Sequence, residues 1–297
     1  MGETLKEELV FRSNSLENSN QELKGEKISM SLCDGSCNAI EILQSLNIYR
    51  KTSMFTDVVL VIEGWDYPCH KAVLSSNSSY FRAMFGGHLK ESHLNVIEIQ
   101  KISSPNMSTL LDYMYGGSLE IDEDNVVGLL EASDLLHMSR LRDACVKFLE
   151  NQLHPCNCVG IMKFADSFSI FTLSEKSKKL MLEGFAEVSC HEEFLSLSKD
   201  ELVEYLSNEN LVVRREEEVF EAVMKWVNKN SLERCKNLKE LLELVRLPLL
   251  DPAYFLEKVE MDKTIQGCTE CFSLLHEARM YYILGNQVNS LRQRPRR

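Results

Sequence analysis

A chain of 297 residues with a hydrophobic fraction of 44% and a charged fraction of 26% has the composition of a folded globular protein and the length for two domains. Its formal net charge of −12 repels phosphate backbones and anionic lipid surfaces, which argues against nucleic-acid and membrane partners. No apolar run is long enough to span a bilayer and the N-terminus lacks the apolar centre of a secretory signal, so the expected location is the cytoplasm, extending to the nucleus.

Residues 1–38 are rich in Glu, Ser, Asn and Lys with scattered apolar positions, and are expected to be a disordered N-terminal segment. Order begins in "NAIEILQSLNIYRK", where Ile40, Leu43 and Leu46 recur at helical spacing and Arg50 and Lys51 close the last turn. "DVVLVIEGWDYPCH" reads as two strands joined at Glu63-Gly64, and "NVIEIQ" as a third short strand. A helix over "SSPNMSTLLDYMYGG" is expected to take Ser104 as N-cap and Pro105 at its first position, with Met107, Leu110, Leu111 and Met114 on one face and Gly116-Gly117 as terminator. Two further helices follow, the second capped by Ser139 and carrying Leu141, Ala144, Cys145, Phe148 and Leu149 on one stripe. Strands early and helices late point to an α+β domain.

From Pro155 onward no strand is expected. Asn157 is a candidate cap; Ser198 and Glu201 have the spacing of a capping box with Leu197 and Leu202 as its staple. Val219, Phe220, Val223 and Val227 share one helical face beside Trp226, and Asp251-Pro252 opens another helix. The expected division is residues 39–154, residues 155–285 as an all-α domain, and residues 286–297 as a basic linker or tail, with the boundary near His154-Pro155.

The stretch "YPCHKAVLSSNSSYFRAMF" holds Cys69 next to His70 and suggests a nucleophile with its base. Nothing supplies the orienting third group, adjacent residues at a strand end point to opposite sides, and no G-x-S-x-G, P-loop, G-x-G-x-x-G or H-E-x-x-H motif occurs. No catalytic residue is assigned. Metal ligation competes through His154, Cys156 and Cys158 and through Cys268 and Cys271, but these clusters lie over a hundred residues apart, so free thiols, and no metal or cofactor, are expected.

The ordered set Phe55-Thr56-Asp57-Val58, His70-Lys71-Ala72-Val73-Leu74 and Tyr80-Phe81-Arg82-Ala83-Met84-Phe85 resembles the BTB/POZ domain of kelch-like proteins. "LLDYMYGG" is similar to the family's Y-x-Y-x-G element, with Gly116 where threonine is usual, and "LRDACVKFLENQLHPCNCVGI" and "HEEFLSLSKDEL" resemble the end of BTB and the BACK domain that follows. The fold implied is an α+β BTB/POZ domain followed by an all-α BACK domain, and the function is that of a non-catalytic dimeric adaptor of a cullin-3 ubiquitin ligase. The resemblance assigns cullin-3 binding to Leu89, Lys90, Glu91 and Tyr115, although a core position for Tyr115 stays open because Leu111 and Met114 share its helix. It assigns dimerisation to Ile40, Leu43 and Leu46 on the first helix, to Phe81 and Met84, and to a charged pocket at Asp57 and Lys71. Partners implied are cullin-3, a second BTB chain of the same or another kind, and an unknown substrate protein.

A six-bladed propeller is implied after the BACK domain, yet no repeat of blade length occurs in this sequence. A shortened form or a different substrate reader is therefore expected, and a self-association scaffold or a propeller-less competitor of full-length relatives is the alternative to ligase work. A metal- or thiol-dependent enzyme ranks behind both.

Overall fold

The computed structural model describes residues 35–87 and 93–284. The first helix, α1, spans Gly35–Lys51, and Leu46 turns inward against the core while Ile40, Ile42 and Ile48 stay exposed. Strand β1 (Val58–Ile62) pairs antiparallel with β2 (Trp65–Cys69), through a turn in which Glu63 and Gly64 both take positive φ, 51° and 81°. That pair of left-handed residues matches the twist of the flanking strands, and glycine takes one of the two positions without steric cost. Glu63 Oε2 also accepts the backbone N–H of Ser104 at 2.9 Å, fixing the hairpin tip to the next layer.

Helices α2 (Lys71–Asn77) and α3 (Ser79–Gly86) follow, then β3 (Val96–Glu98), which returns parallel to β1. The sheet order is β2-β1-β3, and along the central strand Val58, Leu60 and Ile62 face the core while Val59 and Val61 are only half buried. Alternation of this kind is what a sheet covered on one face requires. Helices α4 (Ser104–Met114), α5 (Val126–Leu135) and α6 (Ser139–Asn151) cover the inner face.

The helix starts differ from expectation by single residues. Ser103, not Ser104, caps α4, accepting from the Asn106 N–H, so Pro105 falls at the second position. Met138 rather than Ser139 occupies the cap of α6. Asn157 stands at the cap of α7 (Cys158–Ser167), but its side chain serves the chain behind it, accepting from the His154 N–H at 2.8 Å and donating to the Gln152 carbonyl. Serine runs offer several equivalent caps to pattern reading, and tertiary contacts choose among them.

Beyond α7 the described chain is helical throughout: α8 (Phe171–Glu183), the short α9 (Phe185–Val188), α10 (Lys199–Ser207), α11 (Glu216–Lys229), α12 (Ser231–Arg234), α13 (Leu238–Leu244), α14 (Pro252–Tyr254), α15 (Lys263–Gln266) and α16 (Phe272–Leu284). Ser198 and Glu201 make the reciprocal capping box, with Leu197 and Leu202 buried beside it, and Asp251 caps α14 with Pro252 at its first position. Val219, Phe220, Val223, Trp226 and Val227 all lie in the core of this half. Trp226 donates its indole N–H to the Leu197 carbonyl at 2.9 Å, and the Arg234 guanidinium lies 4.0 Å above its ring.

Two hydrophobic cores result, and they do not divide in chain order. Cys158, Val159 and Met162 of α7 belong to the helical core, whereas Ala165 of α7, Ile170 just before α8 and Leu173 of α8 complete the core beneath the sheet. Leu153 packs against both. The α7–α8 hairpin therefore seals the first half from outside while anchoring the second. Leu173→Ala is expected to cost about 2–5 kcal/mol, the range for a buried leucine whose cavity collapses incompletely. Urea unfolding followed by circular dichroism and by the buried Trp226 should show one shared shift to lower denaturant; an unshifted Trp226 transition would separate the two cores.

Candidate protein-docking site

The Cys69–His70 junction is organised by a tyrosine from the far side of the domain. Cys69 ends β2 with its thiol wholly buried, and burial pushes that thiol up to about 12, far from the reactivity a nucleophile needs. His70 caps α2 through its backbone, and its N–H donates to the Tyr115 hydroxyl at 2.8 Å while its Nδ1 lies 2.9 Å from the same oxygen. Its Nε2 has no hydrogen-bond partner among the described residues. The motif is packing, not a catalytic pair.

Tyr115 is 0% exposed, which corrects its expected surface position and decides for the core alternative. Desolvation raises the pKa of its phenol, and the Arg50 guanidinium sits 5.1 Å above the ring. Arg50 is itself buried and bonds Asp112 Oδ1 at 2.8 Å and Asn47 Oδ1 at 2.9 Å. Burial raises the Asp112 carboxyl, but hydrogen bonds from Lys51 and Asn47 and the charges of Lys51 and Arg50 outweigh it and hold the group below its ordinary value. One network thus joins α1, α2 and α4.

The end of α4 explains the glycine pair. Gly116, at φ 85°, donates to the Tyr113 carbonyl and Gly117 to the Asp112 carbonyl, the paired bonds of a Schellman turn. A Cβ added at Gly116 would lie 3.2 Å from the Leu43 Cβ, so the same glycine admits the close approach of α1.

The expected dimerisation residues separate into two groups. Phe81 is 0% exposed and stacks on Phe85 at 5.8 Å, so it is a core residue and not a contact open to a partner. Leu43 and Leu46 are half buried against their own chain, and Met84 likewise packs on the core. Ile40 is open, as are Ile42, Ile48, Phe55 and Val96, each about half exposed or more. Asp57 accepts the Lys71 backbone N–H at 2.7 Å, the role of an acid at a helix start, and Lys71 Nζ lies 5.3 Å over the Phe85 ring.

A second surface feature lies among α2 to α6, where a cavity of about 650 Å³ is lined by Ser79, Arg82, Tyr113, His137, Arg140 and Arg142. Arg142 is held by Asp134 at 3.2 Å and by the Phe168 carbonyl. Helix α3 leads from this cavity straight into residues 88–92, and Leu89, Lys90 and Glu91 lie outside the described residues. Nothing in the sequence marked this concavity, because its lining comes from five separate helices.

Among the described residues no group of three or more His, Cys, Asp or Glu is arranged to hold a metal. His154 Nδ1 is 3.2 Å from Cys156 Sγ, whereas the Cys158 thiol turns to the Pro155 carbonyl. No described helix is long and apolar enough to cross a membrane.

Comparison with known families accounts for this architecture. The BTB/POZ domain profile matches residues 46–153 and that of BACK, "BTB And C-terminal Kelch", residues 158–260. The fold is an α+β BTB/POZ domain followed by an all-α BACK domain. The chain carries a BTB domain followed by a BACK domain and is homologous to kelch-like proteins. It is 52% identical over 263 residues to Kelch-like protein 24 of Homo sapiens, covering 89% of this chain and 44% of that protein. Kelch-like protein 35 of Homo sapiens is 43% identical, with 89% and 48% covered. The chain spans about half the length of the curated relatives it matches. A solved BTB domain of zebrafish PATZ1 matches with 27% identity and a TM-score of 0.37, over 41% of this chain and 99% of that one.

Replacing Tyr115 by Phe leaves the buried His70 N–H without its acceptor and is expected to destabilise the protein by about 1–3 kcal/mol. Equilibrium denaturation measures it, and an unchanged midpoint would remove the hydroxyl from the account.

Proposed function

We propose that the chain is a non-enzymatic, dimeric adaptor module that docks on cullin-3 and, joined to a substrate-binding part, presents a protein for ubiquitination in the cytoplasm. The observation that carries this reading is the pairing of a BTB domain with a BACK domain in one chain that is similar to kelch-like proteins over 89% of its length. Cullin-3 meets Leu89, Lys90 and Glu91: the leucine enters an apolar pocket and the carboxylate faces donors at the end of a partner helix. The concavity beside α3 widens that surface through Tyr113, Arg82 and Arg140. Tyr115, being buried, contributes by holding α4 against α2 beneath this surface rather than by touching the partner.

Dimerisation uses the exposed apolar side chains of α1 and the sheet edge. Ile40, Ile42, Ile48 and Val96 stand in water in the single chain, and pairing removes them from it. The charged residues Asp57 and Lys71 lie at the start of α2, where the first serves the helix terminus and the second covers Phe85. Leu43 and Leu46 support the helix from below.

Titration with the N-terminal part of cullin-3 tests the reading, with light scattering run on the same sample. The wild type is expected to bind as a dimer, and Leu89→Ala combined with Glu91→Ala to weaken binding about thirtyfold, the loss for a central anchor worth about 2 kcal/mol. A monomer that ignores cullin-3, or a double variant that binds like the wild type, removes the proposal.

A further inference from the structure

The pair Cys268–Cys271 is not used by the docking surface. Cys268 ends the loop after α15 and caps a helical turn, Thr269–Cys271, that continues without a break into α16. Cys271 lies in that turn, so the two sulfurs come to the same side, and the Cys271 thiol donates to Cys268 Sγ across 3.1 Å. The two differ in access: Cys268 is half buried and Cys271 fully buried in the helical core. Burial, reinforced by the hydrogen bond to Cys268, raises the Cys271 thiol to about 12.

We propose that Cys268 and Cys271 form a redox-active pair, oxidised to an intrachain disulfide by a low-molecular-weight disulfide such as oxidised glutathione and restored by thiols. The Cys-x-x-Cys spacing, with the first cysteine capping a helical run and the second inside its first turn, brings both sulfurs within reach of one bond. Closing it needs an approach of about 1 Å, which a side-chain rotation supplies.

Cys268, the accessible sulfur, loses its proton to solvent and attacks one sulfur of the oxidant, forming a mixed disulfide and releasing one glutathione thiolate. Cys271 then loses its proton and attacks the Cys268 sulfur, breaking the mixed disulfide and releasing the second thiolate. Two protein sulfurs are oxidised by two electrons in total, and the oxidant leaves as two thiols that take up the two protons. The burial of Cys271 suits the second role, because a thiol shielded from solvent meets the adduct already beside it and not the oxidant.

Treating the native full chain with oxidised glutathione, quenching in acid, capping free thiols with N-ethylmaleimide and mapping peptides by mass gives the test. The wild type is expected to yield a peptide carrying Cys268 and Cys271 that is lighter by two hydrogens, uncapped, and recovered by dithiothreitol. Cys268→Ser should leave Cys271 reduced and cappable, and Cys271→Ala should stop at a stable glutathione adduct on Cys268. The exposed Cys156 and Cys190 report that the oxidant was active. A persistent adduct on wild-type Cys268, or both thiols remaining cappable while Cys156 and Cys190 are modified, overturns the pair. The wild-type and Cys268→Ser results decide the matter even where the core substitution at Cys271 prevents folding.

Discussion

The BTB half of this protein depends on one buried hydroxyl. Tyr115 closes α4, and its oxygen receives the backbone N–H that begins α2, while Arg50 from α1 covers its ring and reaches back to Asp112 one turn earlier on α4. Three elements distant in sequence are thereby fixed at one point. A charged guanidinium in so closed a place is tolerable because it finds a carboxylate, an amide oxygen and an aromatic face together. The mutual placement of α1, α2 and α4 follows from this arrangement.

The same network relieves an apparent contradiction in the sequence. A cysteine beside a histidine suggests chemistry, yet each is already engaged: the thiol by burial in the core, the imidazole by the tyrosine. Groups that would have to be free to react are instead the means by which a strand end passes into a helix. Among the apolar side chains left in water, Ile40, Ile42 and Ile48 lie on α1, Phe55 in the loop after it and Val96 at the sheet edge.

Elements with a strong local signal were legible from residues alone. The β-branched run Val58, Val59, Val61 and Ile62 gave β1, Glu63-Gly64 gave the hairpin turn, Ser198 with Glu201 gave the capping box, and Gly116-Gly117 gave the end of α4. At Ser103-Ser104 the observed cap lies one residue earlier than expected, since the two are equivalent by pattern and are distinguished by tertiary contacts, the Ser104 N–H to Glu63 and the Ser104 hydroxyl to Tyr67. The candidate site was less legible for a related reason. Periodicity tells which residues lie on one face but not which partner that face meets; the resemblance assigned Phe81, Leu43 and Leu46 to a dimer contact, and in the single chain Phe81 is buried while Leu43 and Leu46 are half buried. The cavity beside α3 had no signal in any single segment.

The hairpin of α7 and α8 carries one further consequence, for recombination between relatives. A chimaera joined at His154 would discard the residues that Ala165, Ile170 and Leu173 are shaped to meet, and the new N-terminal half would receive a lid cut for another box. A splice past Glu183 lets lid and box travel together but parts Cys158, Val159, Met162 and Met181 from the helical core they fill, so every junction must be matched to one core or the other.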